Sequence, residues 1–398
     1  MLMIAKSMVP FVEGGSAIRA MFEEGKRMAK ERGAENVYDY SVGNPSPHPP
    51  MEVYQALEYL STKMDPHYVF AYPSNAGYES TRQAVADDLN ERFGDHFDME
   101  SIIMTAGAGY AINIIMKCLL DPGDKIAVFA PYFVEYANWA KNFFADTVVV
   151  PPNEKGAFEP DAEELKKVLD PSVKAVIINN PNNPTGAIYS RESLEAVAEV
   201  LREAEKEFGH PIYIISDEPY RELVYVDKKV EFLPDIYDDT IIAYSWSKSL
   251  SMPGARIGYA AVPRNASGAQ ELQEALIVAC RVLGANNAST LAEIIVERSL
   301  KSTIDLSFYY RNARDLYRIV TEAGFEAILP QGAFYLWFKS PVEDEMEFVQ
   351  AAKEEGLLIV PGRSFAAPGW VRASFCGSHK MILRSEEAFK AVGKKYFK

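Results

Sequence analysis

Cysteine is scarce in this chain: Cys118, Cys280 and Cys376 are the only three among 398 residues. They are widely separated and odd in number, so no disulfide framework is expected, and a reducing cytoplasm is the compartment that fits. There is no CxxC pair and no Cys/His cluster, so no metal centre is expected. Positive charge is also short. Lysines and arginines number 41 against 56 aspartates and glutamates, for a net charge of −15. Binding to a phosphate backbone needs a basic surface, so nucleic acid is not an expected partner. No uninterrupted apolar run is long enough to span a bilayer, so no membrane partner is expected. Met1 to Gly15 carries Lys6 and Glu13 and lacks the layout of a secretory signal. Internal repeats and low-complexity linkers are absent as well.

What is present reads as a soluble globular protein, 48% hydrophobic and 24% charged. The length exceeds one hydrophobic core of typical size, so two domains are expected. Lys125 to Ala130, Val173 to Asn179, Ile212 to Asp217 and Ile241 to Ser245 read as buried strands, with Arg256 to Val262 as one more. Helical patterns such as Ala162 to Leu169 and Arg191 to Phe208 lie between them. Buried strands alternating with helices predict a mainly parallel sheet in an α/β layer fold. Further on, Ser307 to Gly324 reads as a long amphipathic helix. Ala333 to Phe338, Leu357 to Val360 and Trp370 to Phe375 read as short strands, with helices at Val342 to Glu355 and His379 to Tyr396. This predicts a smaller α+β domain, which the helix Ile18 to Glu31 joins. The expected division is 48–300 for the large domain and 1–47 with 301–398 for the small one.

The most informative run is Ser245-Trp246-Ser247-Lys248-Ser249-Leu250-Ser251-Met252-Pro253-Gly254-Ala255-Arg256-Ile257-Gly258. A lysine just past a buried strand is costly unless it has a partner or a task, and a deprotonated lysine forms Schiff bases with carbonyl compounds. The neighbouring hydroxyls and Arg256 suit a phosphate. An amine beside a phosphate cradle points to pyridoxal phosphate, which carries both an aldehyde and a phosphate. No glycine-rich loop precedes Lys248, so the Walker-A pattern fails. In open α/β sheets ligands bind beyond the carboxyl ends of the strands. Asp217, Lys248 and the turn Asn179-Asn180-Pro181-Asn182-Asn183-Pro184-Thr185-Gly186 all fall there.

Ser-x-Ser-Lys followed by Pro-Gly-x-Arg-x-Gly resembles the cofactor-lysine signature of pyridoxal-phosphate enzymes of fold type I, in the class I/II, aspartate aminotransferase-like family. The resemblance runs from Ser41-Val42-Gly43-Asn44-Pro45 to Val371-Arg372-Ala373-Ser374-Phe375, with the motifs in the family's order. It implies a mainly parallel seven-stranded sheet with helices on both faces. It also implies that Lys248 carries the cofactor as a Schiff base, that Asp217 pairs with the pyridinium nitrogen, and that Tyr220 and Asn183 contact the ring oxygen. Gly107, Ala108 and Gly109 resemble the phosphate-cup loop, completed by Ser245 and Arg256. The dinucleotide pattern GxGxxG fails there, because Ile112 stands at the third glycine position. Phe133 matches the aromatic that stacks on the ring. Tyr72 resembles a tyrosine donated to the neighbouring subunit's phosphate, which implies a homodimer. Arg372 matches the clamp on the substrate α-carboxylate, where only arginine offers a flat bidentate fork, and Gly43 resembles a backbone contact to the same group.

The implied activity is ping-pong transfer of an amino group between an L-amino acid and a 2-oxo acid, with the freed Lys248 amine as general base. A C–S β-lyase shares Lys248, Asp217 and Arg372 and is the nearest alternative. A ligand-sensing regulator would need a DNA-binding module, and the roughly forty residues before Ser41 form no helix-turn-helix. A dinucleotide-dependent oxidoreductase fails for want of the glycine fingerprint. Acidic substrates would need a second cation near the pocket, for which Arg281 is one candidate, with a surface position as its alternative.

Overall fold

Val-Lys-Ala-Val-Ile-Ile-Asn, from 173 to 179, is rich in β-branched residues and has no polar face. It forms a seven-residue strand buried almost throughout, as a strand covered by helices on both faces must be. The computed structural model of the chain describes residues 3–14 and 17–397, so the expectation for Met1 to Gly15 lies partly outside the described residues. In chain order the strands are β1 (Tyr38–Asp39), β2 (Ile102–Thr105), β3 (Lys125–Phe129), β4 (Asp146–Val150), β5 (Val173–Asn179), β6 (Tyr213–Asp217), β7 (Thr240–Ser245), β8 (Gly258–Ala261), β9 (Ala327–Ile328), β10 (Tyr335–Lys339), β11 (Leu357–Leu358), β12 (Val360–Pro361) and β13 (Trp370–Ser374).

Seven of them form one sheet in the order β2-β8-β7-β6-β5-β3-β4. Every neighbouring pair is parallel except those made by β8, which runs antiparallel to both β2 and β7. Alternate residues feed two faces. Ile177, Ile215, Ile241 and Ala243 join one core beneath the helices Ala108–Leu119 and Ala269–Val282. Val176, Ile178 and Ile214 join another beneath Arg191–Phe208, while Ile242 and Tyr244 pack towards Glu79–Phe93 and Thr290–Glu297. The result is the expected sheet with helices on both faces. β2 and β4 add to the expected set of strands: β2 has only four residues, and β4 is an edge strand with exposed positions.

A second sheet, β12-β13-β10-β9, is antiparallel. Its core joins Phe334, Leu336, Phe338 and Val371 to Leu316 and Val320 of the helix Leu306–Glu322 and to Phe348, Phe389 and Val392. Two expectations are corrected here. Leu357 to Val360 is not one strand, because β11 pairs with β1 while β12 pairs with β13. The chain passes between two sheets at Ile359. The helix expected over His379 to Tyr396 is two, His379–Arg384 and Glu386–Tyr396. They break at Ser385, whose hydroxyl is drawn to the Tyr40 hydroxyl at 2.6 Å and to the Ile382 carbonyl at 2.7 Å.

The register aligns the ligand-side edge. Asn179 pairs with Asp217, and Ser245 and Thr105 both pair with Gly258. Because β8 is reversed, its entry, not its exit, lies at the rim where β2, β5, β6 and β7 end. Arg256, two residues before β8, therefore reaches the same rim as Lys248, three residues after β7.

Candidate active site

Lys248 lies on a four-residue helix, Trp246–Ser249, capped by Ser245, whose Oγ accepts the Ser247 N–H at 3.1 Å. Its Nζ donates to the Gly43 carbonyl at 2.8 Å and lies 5.2 Å from the centre of the Phe334 ring. Burial lowers the amine to about 8, because an ammonium loses hydration there. A sizeable neutral fraction is thus available near physiological pH, the form that attacks carbonyl carbon.

Eight residues on, Arg256 donates to the Pro253 carbonyl at 2.9 Å and the Ala106 carbonyl at 3.1 Å. Its backbone is left-handed, with φ +51°, a conformation that costs a non-glycine residue free energy and clusters at functional sites. Gly107 caps the helix Ala108–Leu119 with φ +93°. A Cβ there would sit 2.9 Å from Arg256 Nη2. Gly258 is more tightly constrained, since a Cβ would fall 2.2 Å from the Tyr244 carbonyl oxygen and 2.9 Å from Gly107 Cα. These glycines let a helix N-terminus, the Ser245 and Ser247 hydroxyls and a guanidinium converge, which makes an anion site.

Asp217 ends β6. The Tyr136 hydroxyl donates to its Oδ2, and Asn179 Nδ2 donates to its backbone carbonyl at 2.9 Å. Its Oδ1 is buried without a partner. Burial pushes the carboxyl up to about 7, partly offset by the Tyr136 hydrogen bond. The Tyr136 hydroxyl is itself raised well above its ordinary value, chiefly by burial, so it remains the donor. Asn179 also holds the next loop, its Oδ1 accepting the Asn183 N–H at 2.7 Å. Asn183 Oδ1 in turn accepts Arg372 Nη1 at 3.0 Å.

Arg372 is on β13, 2% exposed. Its Nη2 donates to the Ser41 carbonyl at 2.6 Å, while its Nε has no partner. The guanidinium lies over the Tyr335 ring at 4.4 Å and near Phe365 at 4.8 Å, flat contacts that arginine makes well. Burial lowers its pKa. The Tyr335 and Tyr220 hydroxyls are 2.8 Å apart, and burial raises both.

Gly43, Ala108, Gly109, Phe133, Asn183, Asp217, Tyr220, Ser245, Lys248, Arg256 and Arg372 line one cavity of about 360 Å³. Gly107 borders it through Arg256. Tyr72 lies outside it, 87% exposed on the surface of its own chain. Arg281 is also exposed and away from it. Tyr136, Tyr335 and Trp139 also line the cavity and were not expected from the sequence, while Asn179, in the turn expected at the strand ends, lines it too. Tyr136 had a signal, standing one helical turn beyond Phe133. Tyr335 had none in its neighbourhood, because Tyr220 is 115 residues away.

A family model described as aminotransferase class I and II matches residues 34–388. The chain belongs to that family. As a class I/II aminotransferase it resembles the aspartate/prephenate aminotransferase of Thermus thermophilus, 33% identical over 328 residues that span 81% of this chain and 83% of the relative. It also resembles the aspartate aminotransferase of Thermotoga maritima, 30% identical over 94% of this chain and 95% of the relative. A crystal structure of an amino transferase from Eubacterium rectale superposes with a TM-score of 0.97 at 40% identity, covering all of both chains. The Thermus thermophilus aspartate aminotransferase with maleate superposes with a TM-score of 0.85 at 26% identity, covering 98% of this chain and all of the other. This aminotransferase is a transaminase, and the β-lyase alternative is not favoured by such relatives. No helix of the described residues is long and apolar enough to cross a membrane, and among them no group of acidic, histidine or cysteine side chains is arranged for a metal ion.

Proposed function

We propose that this cavity holds pyridoxal phosphate and exchanges an amino group between an L-amino acid and a 2-oxo acid. The observation that carries the reading is the meeting, in one cavity, of a lysine amine lowered to about 8, an aspartate oxygen without a partner and a buried guanidinium. The fit to the cofactor is specific. The bare Asp217 Oδ1 suits a protonated ring nitrogen, and the Gly107 turn with Ser245 and Arg256 suits a phosphate. When bound, pyridoxal phosphate supplies an aldehyde that takes up amines and a cationic ring that accepts the electron pair left by a departing α-proton.

The chain's own residues do the rest. Lys248 would hold the cofactor aldehyde through its amine, and the free amine, lowered to about 8, would serve as the base that takes and returns the proton at the substrate α-carbon. Asp217 keeps the ring nitrogen protonated. Asn183 and Tyr220 would donate to the ring oxygen, and Phe133, in the same cavity, would cover the ring. Gly107, Ala108, Gly109, Ser245 and Arg256 would hold the phosphate. Arg372, helped by Gly43, fixes the substrate carboxylate. Residues 48–300 act as the large domain, and 1–47 with 301–398 as the small one, so binding at Arg372 draws the small domain inward and excludes water. Exposed Tyr72 reaches a neighbouring subunit's phosphate in a homodimer. The three free cysteines accord with a reducing cytoplasm.

Several relatives are named aspartate aminotransferases, and aspartate is therefore a second reading of the donor. The activity is tested with Lys248→Ala. Turnover of an amino acid with a 2-oxo acid should vanish while the protein remains folded, and near-normal turnover would refute the assignment. Holoenzyme given an amino acid alone should stop after one half-reaction, whereas a lyase would form pyruvate continuously.

A further inference from the structure

Resting on the transaminase reading above, we infer that Phe158 is a positioning residue for Arg372. It latches the antiparallel sheet against the seven-stranded one and so presents the guanidinium to the substrate carboxylate. Phe158 stands in the stretch 151–160, which joins β4 to the helix Ala162–Val168. Glu154, Lys155, Gly156 and Ala157 before it are exposed. Phe158 turns inward and is 3% exposed. Its neighbours belong to the other sheet. The Phe158 ring stands edge-on to Trp370 of β13 at 5.0 Å and to Trp337 of β10 at 6.2 Å between ring centres, and it shares their buried cluster with Val360 and Phe365.

The two indoles lie on the Arg372 face of that sheet. Trp370 is two residues before Arg372 on β13, and Trp337 is the cross-strand partner of Arg372 on β10. Residues so related share one face. The indoles stack in parallel with centres 5.9 Å apart. Trp337 meets Phe365 edge-on at 5.9 Å, and the Phe365 ring centre lies 4.8 Å from the Arg372 guanidinium. A continuous aromatic column therefore runs from Phe158 to the carboxylate clamp. A close-packed column transmits a displacement instead of absorbing it.

The foot of the latch is fixed on the other side. Glu159 Oε2 accepts the Ser190 N–H at 3.1 Å, at the start of the helix Arg191–Phe208 that covers the seven-stranded sheet. Trp370 Nε1 donates to Glu154 Oε1 at 3.3 Å, a second tie across the same gap. The backbone is left-handed at both Ala157 and Phe158, with φ +53° and +64°. Two such non-glycine residues in succession persist only where their surroundings over-determine them, and the seat of the ring against the indoles is that constraint. Arg372 grips a carboxylate only while its sheet is seated. Losing the latch lowers the seated fraction, and apparent substrate affinity falls in proportion. At saturation the substrate itself holds the sheet in place, so the maximal rate is kept.

The test is steady-state kinetics on holoenzyme loaded with pyridoxal phosphate, using the amino acid and 2-oxo acid that the native enzyme turns over fastest. Phe158→Ala should raise KM for both by about tenfold, as when about a tenth of the molecules stay seated, and leave kcat within about twofold. Affinity for pyridoxal phosphate, measured separately by titration, should stay within about twofold, because Asp217 and the anion site belong to the seven-stranded sheet. Phe158→Leu keeps most of the buried hydrocarbon and should raise KM by about threefold. It decides the matter alone if the alanine variant does not fold. An unchanged KM in the folded variants overturns the inference and leaves transamination standing. So does a loss carried by kcat or by cofactor affinity, which is what damage to the fold alone would give. Native holoenzyme that turns over no amino acid with any 2-oxo acid overturns the transaminase reading and the inference with it.

Discussion

Asp217→Asn should make the cofactor-free protein more stable, and more so as the pH rises. The Asp217 carboxyl is raised from 3.8 to about 7, chiefly by burial. Below 3.8 it is protonated in both the folded and unfolded chain and contributes nothing. Above 7 it is ionised in both, and the folded chain bears the whole cost of a buried charge. At about 1.4 kcal/mol per tenfold change in the ionisation constant, that cost is about 4 kcal/mol at pH 8 and about 1.6 kcal/mol at pH 5. Asparagine carries no charge, and its amide oxygen can still accept the Tyr136 hydroxyl, so the variant should gain about 2–3 kcal/mol relative to the native chain between pH 5 and pH 8. Urea unfolding of both cofactor-free proteins at the two pH values measures this directly. A gain equal at both would refute the account of Asp217 as a buried, partnerless carboxylate. Adding pyridoxal phosphate should reverse the order, since only the native chain offers the ring nitrogen a counter-ion.

Four further outcomes are expected. Arg372→Lys should lower kcat/KM for amino donors by about ten- to a hundredfold, mostly through KM, since charged hydrogen bonds are worth about 1.5–3 kcal/mol; steady-state kinetics decide it, and an unchanged KM would count against the carboxylate role. The rate at which cofactor-free protein captures pyridoxal phosphate should climb as the pH rises through about 8, where Lys248 loses its proton, and then level off; a flat stopped-flow profile would contradict this. Gly258→Ala should destabilise the fold by about 1–3 kcal/mol through overpacking against Tyr244 and Gly107, and an unaltered unfolding midpoint would tell against that contact. Glu345 is buried and accepts the Arg363 guanidinium and the Gly369 N–H. Burial pushes its carboxyl up, but the Arg363 hydrogen bond and backbone N–H donors outweigh that and hold it at about 2. Its stabilising contribution should therefore be complete above the unfolded value of 4.5 and be lost as pH falls towards 2, and Glu345→Ala should lower the melting temperature at pH 7 but alter it little at pH 2.

The parts of the fold most legible in the sequence are those buried on both faces. β5, β6 and β7 read as continuous apolar runs because helices cover them on either side. β4 does not, because an edge strand mixes exposed and buried positions. Lys248, Asp217, Asn183 and Arg372 are legible because each sits in a motif that resembles the family's, the first three at or just past the ends of β7, β6 and β5 and Arg372 within β13. Tyr136 and Tyr335 do not, because an aromatic side chain looks the same in sequence whether it fills a core or points a hydroxyl at a carboxylate. Tyr335 joins the cavity through a different sheet, and the break at Ser385 depends on Tyr40, 345 residues away. Contacts of that kind are set by tertiary packing and leave no trace in local periodicity.

The reversed strand β8 has a mechanical consequence. The chain leaves the rim at Ser245, arches through Lys248 and Arg256, and is fastened again at Gly258, which pairs with Ser245 itself. Both cations therefore ride on one arch whose two feet are bonded to each other, while Arg372 rides on the antiparallel sheet. Any swing of one sheet against the other changes the span from Lys248 to Arg372 and leaves that from Lys248 to Arg256 as it was. One jaw of the site stands on its own footing, and the other is laced to it by the hydrogen bonds from Arg372 to Asn183 and between Tyr335 and Tyr220.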